Sequence, residues 1–289
     1  MNAYRWLIRR EFWENRAIWA IPLVVGGCLI VAALFGRVDV VGVFSQMPGR
    51  AAGLVFLLAA GATFFAVMSI YATWYLLDCL YADRKDRSVL FWKSLPISDA
   101  TTVLSKLATA LLVIPVVYFA AADLTSLLMA FIISVRARSS LAGAFWHADL
   151  WLQLQALWVY LIAASAIWYL PLCAYLLVIS AWAKRAVMLW SLLPPFALVL
   201  AERWFFGTHV IAGQIGLRLW GLPQAAFHPN LFAWLDSAAA DGVVRAPANI
   251  WSFFDIGGFL SDSQTWIGIG VGIALILCAV QLRTRRVEI

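Results

Sequence analysis

The sequence predicts an all-α polytopic membrane protein with six transmembrane helices, and three observations predict it. Hydrophobic residues fill 64% of the 289 positions and charged residues only 12%, against about 25% charged in a soluble domain. The apolar residues fall in runs close to the roughly 20 residues that cross a bilayer's hydrocarbon core. No stretch shows the ten-residue polarity alternation of a membrane β-barrel strand. Residues 1–289 read as one transmembrane domain.

The elements follow in order. Residues 1–16 have the pattern of an amphipathic interfacial helix. Tyr4, Ile8 and Phe12 recur at i, i+4, Arg5, Arg9 and Arg16 line another side, and Arg10 is placed to pair with Glu14. Ala17–Phe35 is the first span; it is longer than the core of a cleaved signal peptide and follows a leader containing Glu11 and Glu14. The second covers about Gly53–Leu77. The third begins near Leu107, carries Pro115 and stays apolar to Val135, so it must tilt, break or project from the membrane. The fourth is about Trp151–Ala183 with Pro171. The fifth, about Val187–Ala201, holds Pro194 and Pro195, which should kink or break it. The sixth is Trp266–Leu282, where Gly268 and Gly272 permit close helix approach, within the chain or across a dimer seam.

Between spans five and six lies the long segment 203–265. "HVIAGQIGLRLWGL" and the aromatic "NIWSFFDIGGFL" predict short helices there, on the outer side. With the N-terminus inside, the cytoplasmic segments hold Arg5, Arg9, Arg10, Arg16, Arg84, Lys85, Arg87, Lys93, Lys106, Lys184, Arg185, Arg283, Arg285 and Arg286. The outer segments are longer and hold half as many basic residues, so the positive-inside rule places both termini in the cytoplasm. The net charge of +6 is then a topology signal plus attraction to anionic lipid, and it requires no nucleic acid.

Enzymatic signatures are missing from the sequence. There is no G-x-x-x-x-G-K-[ST] phosphate loop, no G-x-S-x-G elbow and no His-Glu-x-x-His helix. His147, His209 and His228 lack the spacing of metal ligands, and Cys28, Cys79, Cys173 and Cys278 are scattered as small hydrophobes. Asp123 is the acid inside a long apolar run, either a helix-end partner or a substrate contact.

The oddest stretch is "YADRKDRSVLFWKSLPISD", Tyr81–Asp99, in the loop 82–106 between spans two and three. Ser88 to Ser94 can form two helical turns, Pro96 ends them, and Ser98 can cap the third span. Leu90, Phe91 and Trp92 stand among charges and need a burial site: a groove on a partner, lipid, or their own bundle.

Two stretches, "RREFWENR" (Arg9–Arg16) and "DRKDRSVLFWKSLPISDATTVLSK" (Asp83–Lys106), together with the order of elements, resemble the permease subunit of a bacterial ABC transporter of the ABC-2 type. The resemblance covers the whole chain in topology and about 30 positions in residues. It implies an inner-membrane transport subunit, an exporter, facing a second permease chain in a homodimer or paralogous heterodimer. Two separate cytoplasmic ATPase subunits would bind ATP and Mg²⁺; this chain would bind neither and would not itself be an enzyme. It implies that Arg87, Leu90, Phe91, Trp92, Lys93, Ser94, Leu95 and Pro96 form the coupling helix that meets the ATPase, with Arg9, Arg10, Glu11 and Trp13 as secondary contacts. Two alternatives remain from the residues alone: a membrane enzyme acting on a lipid, or an assembly factor whose loop binds a partner without transport.

Overall fold

A computed structural model of the chain describes residues 3–35, 49–86, 98–137, 145–234 and 250–285, nearly all of them helical. Six helices are long and apolar enough to cross a membrane.

Helix α1 (Ala3–Glu14) stops at Asn15 and Arg16, and α2 (Ala17–Phe35) follows directly. The inward face of α1 centres on Leu7 and Glu11, with Ile8 and Phe12 only half-buried, because Glu11 has partners inside the protein. Helix α3 (Gly49–Lys85) runs well past the expected end at Leu77. Its last turns stay helical because Asp83 and Arg84 find internal partners there.

Ser98 does cap the next helix: its Oγ accepts the Thr101 amide at 3.1 Å. Helix α4 (Asp99–Ala108) therefore begins earlier than the apolar run does. It passes through one widened π-helical turn, Thr109–Val113, into α5 (Ile114–Ala137). Pro115 has no N–H for the carbonyl one turn back and its ring crowds that carbonyl; a wider turn takes up the misfit without breaking the helix.

The fourth apolar run is two helices, α6 (Ala148–Trp168) and α7 (Leu170–Trp182), separated at Tyr169. Pro171 sits in the first turn of α7, where its missing donor is not needed. The proline pair lies inside α8 (Val187–Phe205), which continues past it, so of the two expected outcomes, a kink or a break, the break does not occur. Pro195 leaves the Ser191 carbonyl free, and the Tyr175 hydroxyl donates to it at 3.0 Å. Short helices do follow: α9 (Val210–Trp220), α10 (Leu222–Ala226), a 3-10 turn at Ile250–Phe253 and α11 (Ile256–Ser261). Helix α12 (Ser263–Arg285) is the last of the six helices able to span.

Helix α3 is central. It packs between α5 and α7; α2 covers α5, and α12 covers α7. Helix α8 is exposed along most of its length. The glycine pair of α12 is used within the chain. A Cβ at Gly272 would press on Leu170 beside the α6–α7 break, and one at Gly268 would overlap the Arg218 guanidinium.

Two buried clusters share the bundle. One, around Tyr75, Leu76, Leu80, Val103, Leu107 and Leu177, lies where α3, α7 and α12 end and α4 begins. The other, around Leu54, Leu57, Phe119, Trp158, Trp168 and Phe253, lies beneath the short helices.

Candidate functional site

The most unusual chemistry of the bundle is at its charged end. Glu11, Asp83, Lys106 and Arg283 are each less than a tenth exposed. Lone charges there would cost several kcal/mol each, and the fold avoids this by bringing them together. Lys106 Nζ donates to Glu11 Oε1 at 3.0 Å and to Asp83 Oδ1 at 3.5 Å. Arg283 Nη1 meets Asp83 Oδ2 at 3.1 Å, and its Nε meets Asp99 Oδ1 at 3.0 Å. Acids and bases alternate along the chain Glu11–Lys106–Asp83–Arg283–Asp99.

Neutral groups complete the network. The Tyr75 hydroxyl donates to Glu11 Oε2 at 2.8 Å, Asn15 Nδ2 donates to the same oxygen at 3.2 Å, and Thr284 Oγ1 bonds Asp99 Oδ2 at 3.2 Å. Beside it, Arg84 reaches across to α7 and donates to the carbonyls of Ser180 and Ala183 at 2.5 and 2.9 Å. Ser180 Oγ in turn accepts from the Leu80 and Tyr81 amides, both at 3.1 Å.

The position of this network gives it meaning. Asp83 and Arg84 close α3, while Asp99 and Lys106 belong to α4. These are the two stems of the segment containing Arg87, Leu90, Phe91, Trp92, Lys93, Ser94, Leu95 and Pro96, a segment outside the described residues. One stem is tied to α7 and α12, the other to α1 and α12. Any displacement of either stem must move those helices or separate buried opposite charges.

The four N-terminal candidates divide. Arg9 and Trp13 are exposed, and Arg10 pairs with Glu14 at 2.7 Å, as their spacing predicts. Glu11 is instead buried and fully engaged, so it belongs to the interior and offers no surface to a partner. The sequence reading missed Asp83, Asp99, Lys106 and Arg283 as a unit. Their one visible sign was that each sits at the end of an apolar run.

Asp123 lies between α5 and α6 as a helix-to-helix acceptor: Gln155 Nε2 donates at 2.8 Å and Trp158 Nε1 at 3.0 Å. At the far end, Glu202 caps α9, accepting from Thr208 Oγ1 at 2.7 Å and from the Val210 and Ile211 amides at 2.6 and 2.8 Å. Arg218 stacks over Trp168, 4.6 Å from the ring centroid, and donates to the Gln264 carbonyl. Burial pulls its pKa below the ordinary arginine value, and nearby Asp262 opposes that. Among the described residues no three His, Cys, Asp or Glu side chains gather as metal ligands.

No family model matches the chain, and no curated protein or solved structure is found to be similar to it.

Proposed function

We propose that the chain is the permease subunit of an ATP-driven transporter of the ABC-2 type, acting as an exporter in a bacterial inner membrane. Both termini and the charged end face the cytoplasm. Two separate ATPase subunits carry ATP and Mg²⁺, and a second permease chain, identical or paralogous, completes the transport path.

One observation carries this reading. The two stems of the segment holding Phe91 and Trp92 are fastened by buried ion pairs to α1 and α12, and by Arg84 to α7. A loop that only connected two spans would need no such mount. A loop that bears load from a moving partner needs it, because the load must reach the spans without being lost in side-chain movement. Aromatic residues next to Arg87 and Lys93 are the residue types that anchor helix-in-groove contacts.

The decisive experiment is Phe91→Ala with Trp92→Ala in the full chain, co-expressed with candidate ATPases. The expected result is loss of ATPase co-purification and of ATP-dependent flux in proteoliposomes, with the permease still folded. Unchanged association and flux would remove the coupling role. Association without any flux, in the unaltered chain, would favour the assembly-factor reading.

A further inference from the structure

Between α3 and α6, under the short helices, lies a partly open apolar pocket of about 380 Å³. Its walls are Leu58 and Phe65 of α3, Leu161 of α6, and Leu222, Trp234 and Phe253 from the segments above, among others of the same kind. We propose that this cavity is a binding site for the hydrocarbon chain of a membrane lipid. The proposal stands independently of the transport reading.

The lining selects the ligand class. The volume falls within the roughly 300–1,000 Å³ of small-molecule sites, but the few convergent polar groups such sites use are missing from the walls. The Tyr169 hydroxyl donates to the Leu219 carbonyl at 3.4 Å, and the Trp158 N–H is taken by Asp123. A buried water needs two to four polar partners, so neither water nor a polar solute has a foothold. What remains is a hydrocarbon occupant or unfilled apolar space.

The walls are built so that they do not collapse into that space. Trp158 is stacked on Phe119, with centroids 4.5 Å apart and planes 10° apart. Its far edge lies against the backbone at Gly61, where any Cβ would overlap the ring. The roof is pinned to α6 at two points: Gln153 Oε1 accepts the Ile250 amide at 2.8 Å, and the Tyr160 hydroxyl donates to the Ala226 carbonyl. Within the roof, the His228 amide donates to the Phe253 carbonyl at 2.9 Å and the Asp255 amide to the Ala226 carbonyl at 3.2 Å. Unfilled apolar space held open in this way leaves its lining atoms without contact partners.

Location supplies the occupant. Both walls belong to helices long and apolar enough to span a membrane; with those helices in a bilayer, lipid chains are the apolar molecules beside the pocket. A chain that enters gives up no hydration, because it comes from hydrocarbon, and it gains the contacts that the unfilled space lacks. A lipid chain is therefore favoured over an apolar solute arriving from water.

The test uses the full chain in liposomes of phosphatidylethanolamine and phosphatidylglycerol carrying a diazirine in one acyl chain. The protein is exchanged into detergent to strip loosely held lipid, irradiated, and mapped by peptide mass spectrometry. Adducts are expected on cavity residues such as Leu58, Leu161 and Phe253, with none retained on Leu193 or Leu198 of the exposed α8. Leu161→Trp, which fills the space, should abolish the cavity adducts. Leu58→Trp serves the same purpose from the opposite wall if the first variant misfolds. Absence of cavity adducts in the native chain, or their persistence in a folded filled variant, overturns the proposal. So does labelling by a free diazirine fatty acid where the labelled phospholipids give none. These readouts need neither ATPase nor flux, so their failure leaves the transport reading standing, and the converse holds.

Discussion

Lys106 is the residue with most to lose at the charged end. It is 3% exposed and lies between two buried carboxylates, Glu11 and Asp83, and is the cation they share. Lys106→Met keeps the stem's shape but removes the shared cation, which typically costs about 3–5 kcal/mol for a broken buried pair. Thermal unfolding in detergent should show this loss, while Lys184→Met on the exposed turn should stay within about 0.5 kcal/mol. Similar losses for both would mean that the pairs carry no net stabilisation. The charges themselves are visible in the sequence at the ends of apolar runs. Their pairing was not, since Lys106 meets Glu11 across 95 positions and Arg283 meets Asp83 across 200. Local pattern holds no information at that range.

At the scale of elements, caps were easier to read than prolines. Ser98 before a predicted span, followed by Asp99, is a local signal with a local cause, and the cap is present. Ser98→Ala should cost about 1 kcal/mol of helix start, speeding hydrogen exchange of the Thr101 amide about fivefold. An unchanged rate at Thr101 would show that neighbouring contacts hold the stem without the cap. The prolines had three different fates: Pro115 follows a π-turn, Pro171 opens a helix, and Pro194 and Pro195 lie inside one. Proline removes the same donor each time. The outcome depends on what satisfies the freed carbonyl, and for Ser191 that is Tyr175, a residue of another helix.

At the scale of the whole molecule, six helices able to span place the ion network at one end and the short helices at the other. If the charged end is cytoplasmic, Lys85→Cys and Arg285→Cys should resist a membrane-impermeant maleimide in intact cells, while Thr208→Cys should react. The exposed native Cys28 and Cys278 are first replaced by Ser. The reverse pattern would put the loop out of reach of any cytoplasmic ATPase. Sequence alone was enough for six helices able to span, for short helices in the described parts of segment 203–265 and for the clustering of charge at the ends of apolar runs. Each follows from hydropathy, periodicity or propensity, which are properties of neighbours in the chain. Packing, by contrast, turns Glu11 inward, sets Arg218 and Leu170 against the α12 glycines and leaves an apolar pocket between α3 and α6. The physical reason is the same in each case. Burial of a charge, close approach of a helix and the shape of a pocket all depend on atoms supplied by distant segments, and become defined when the segments pack.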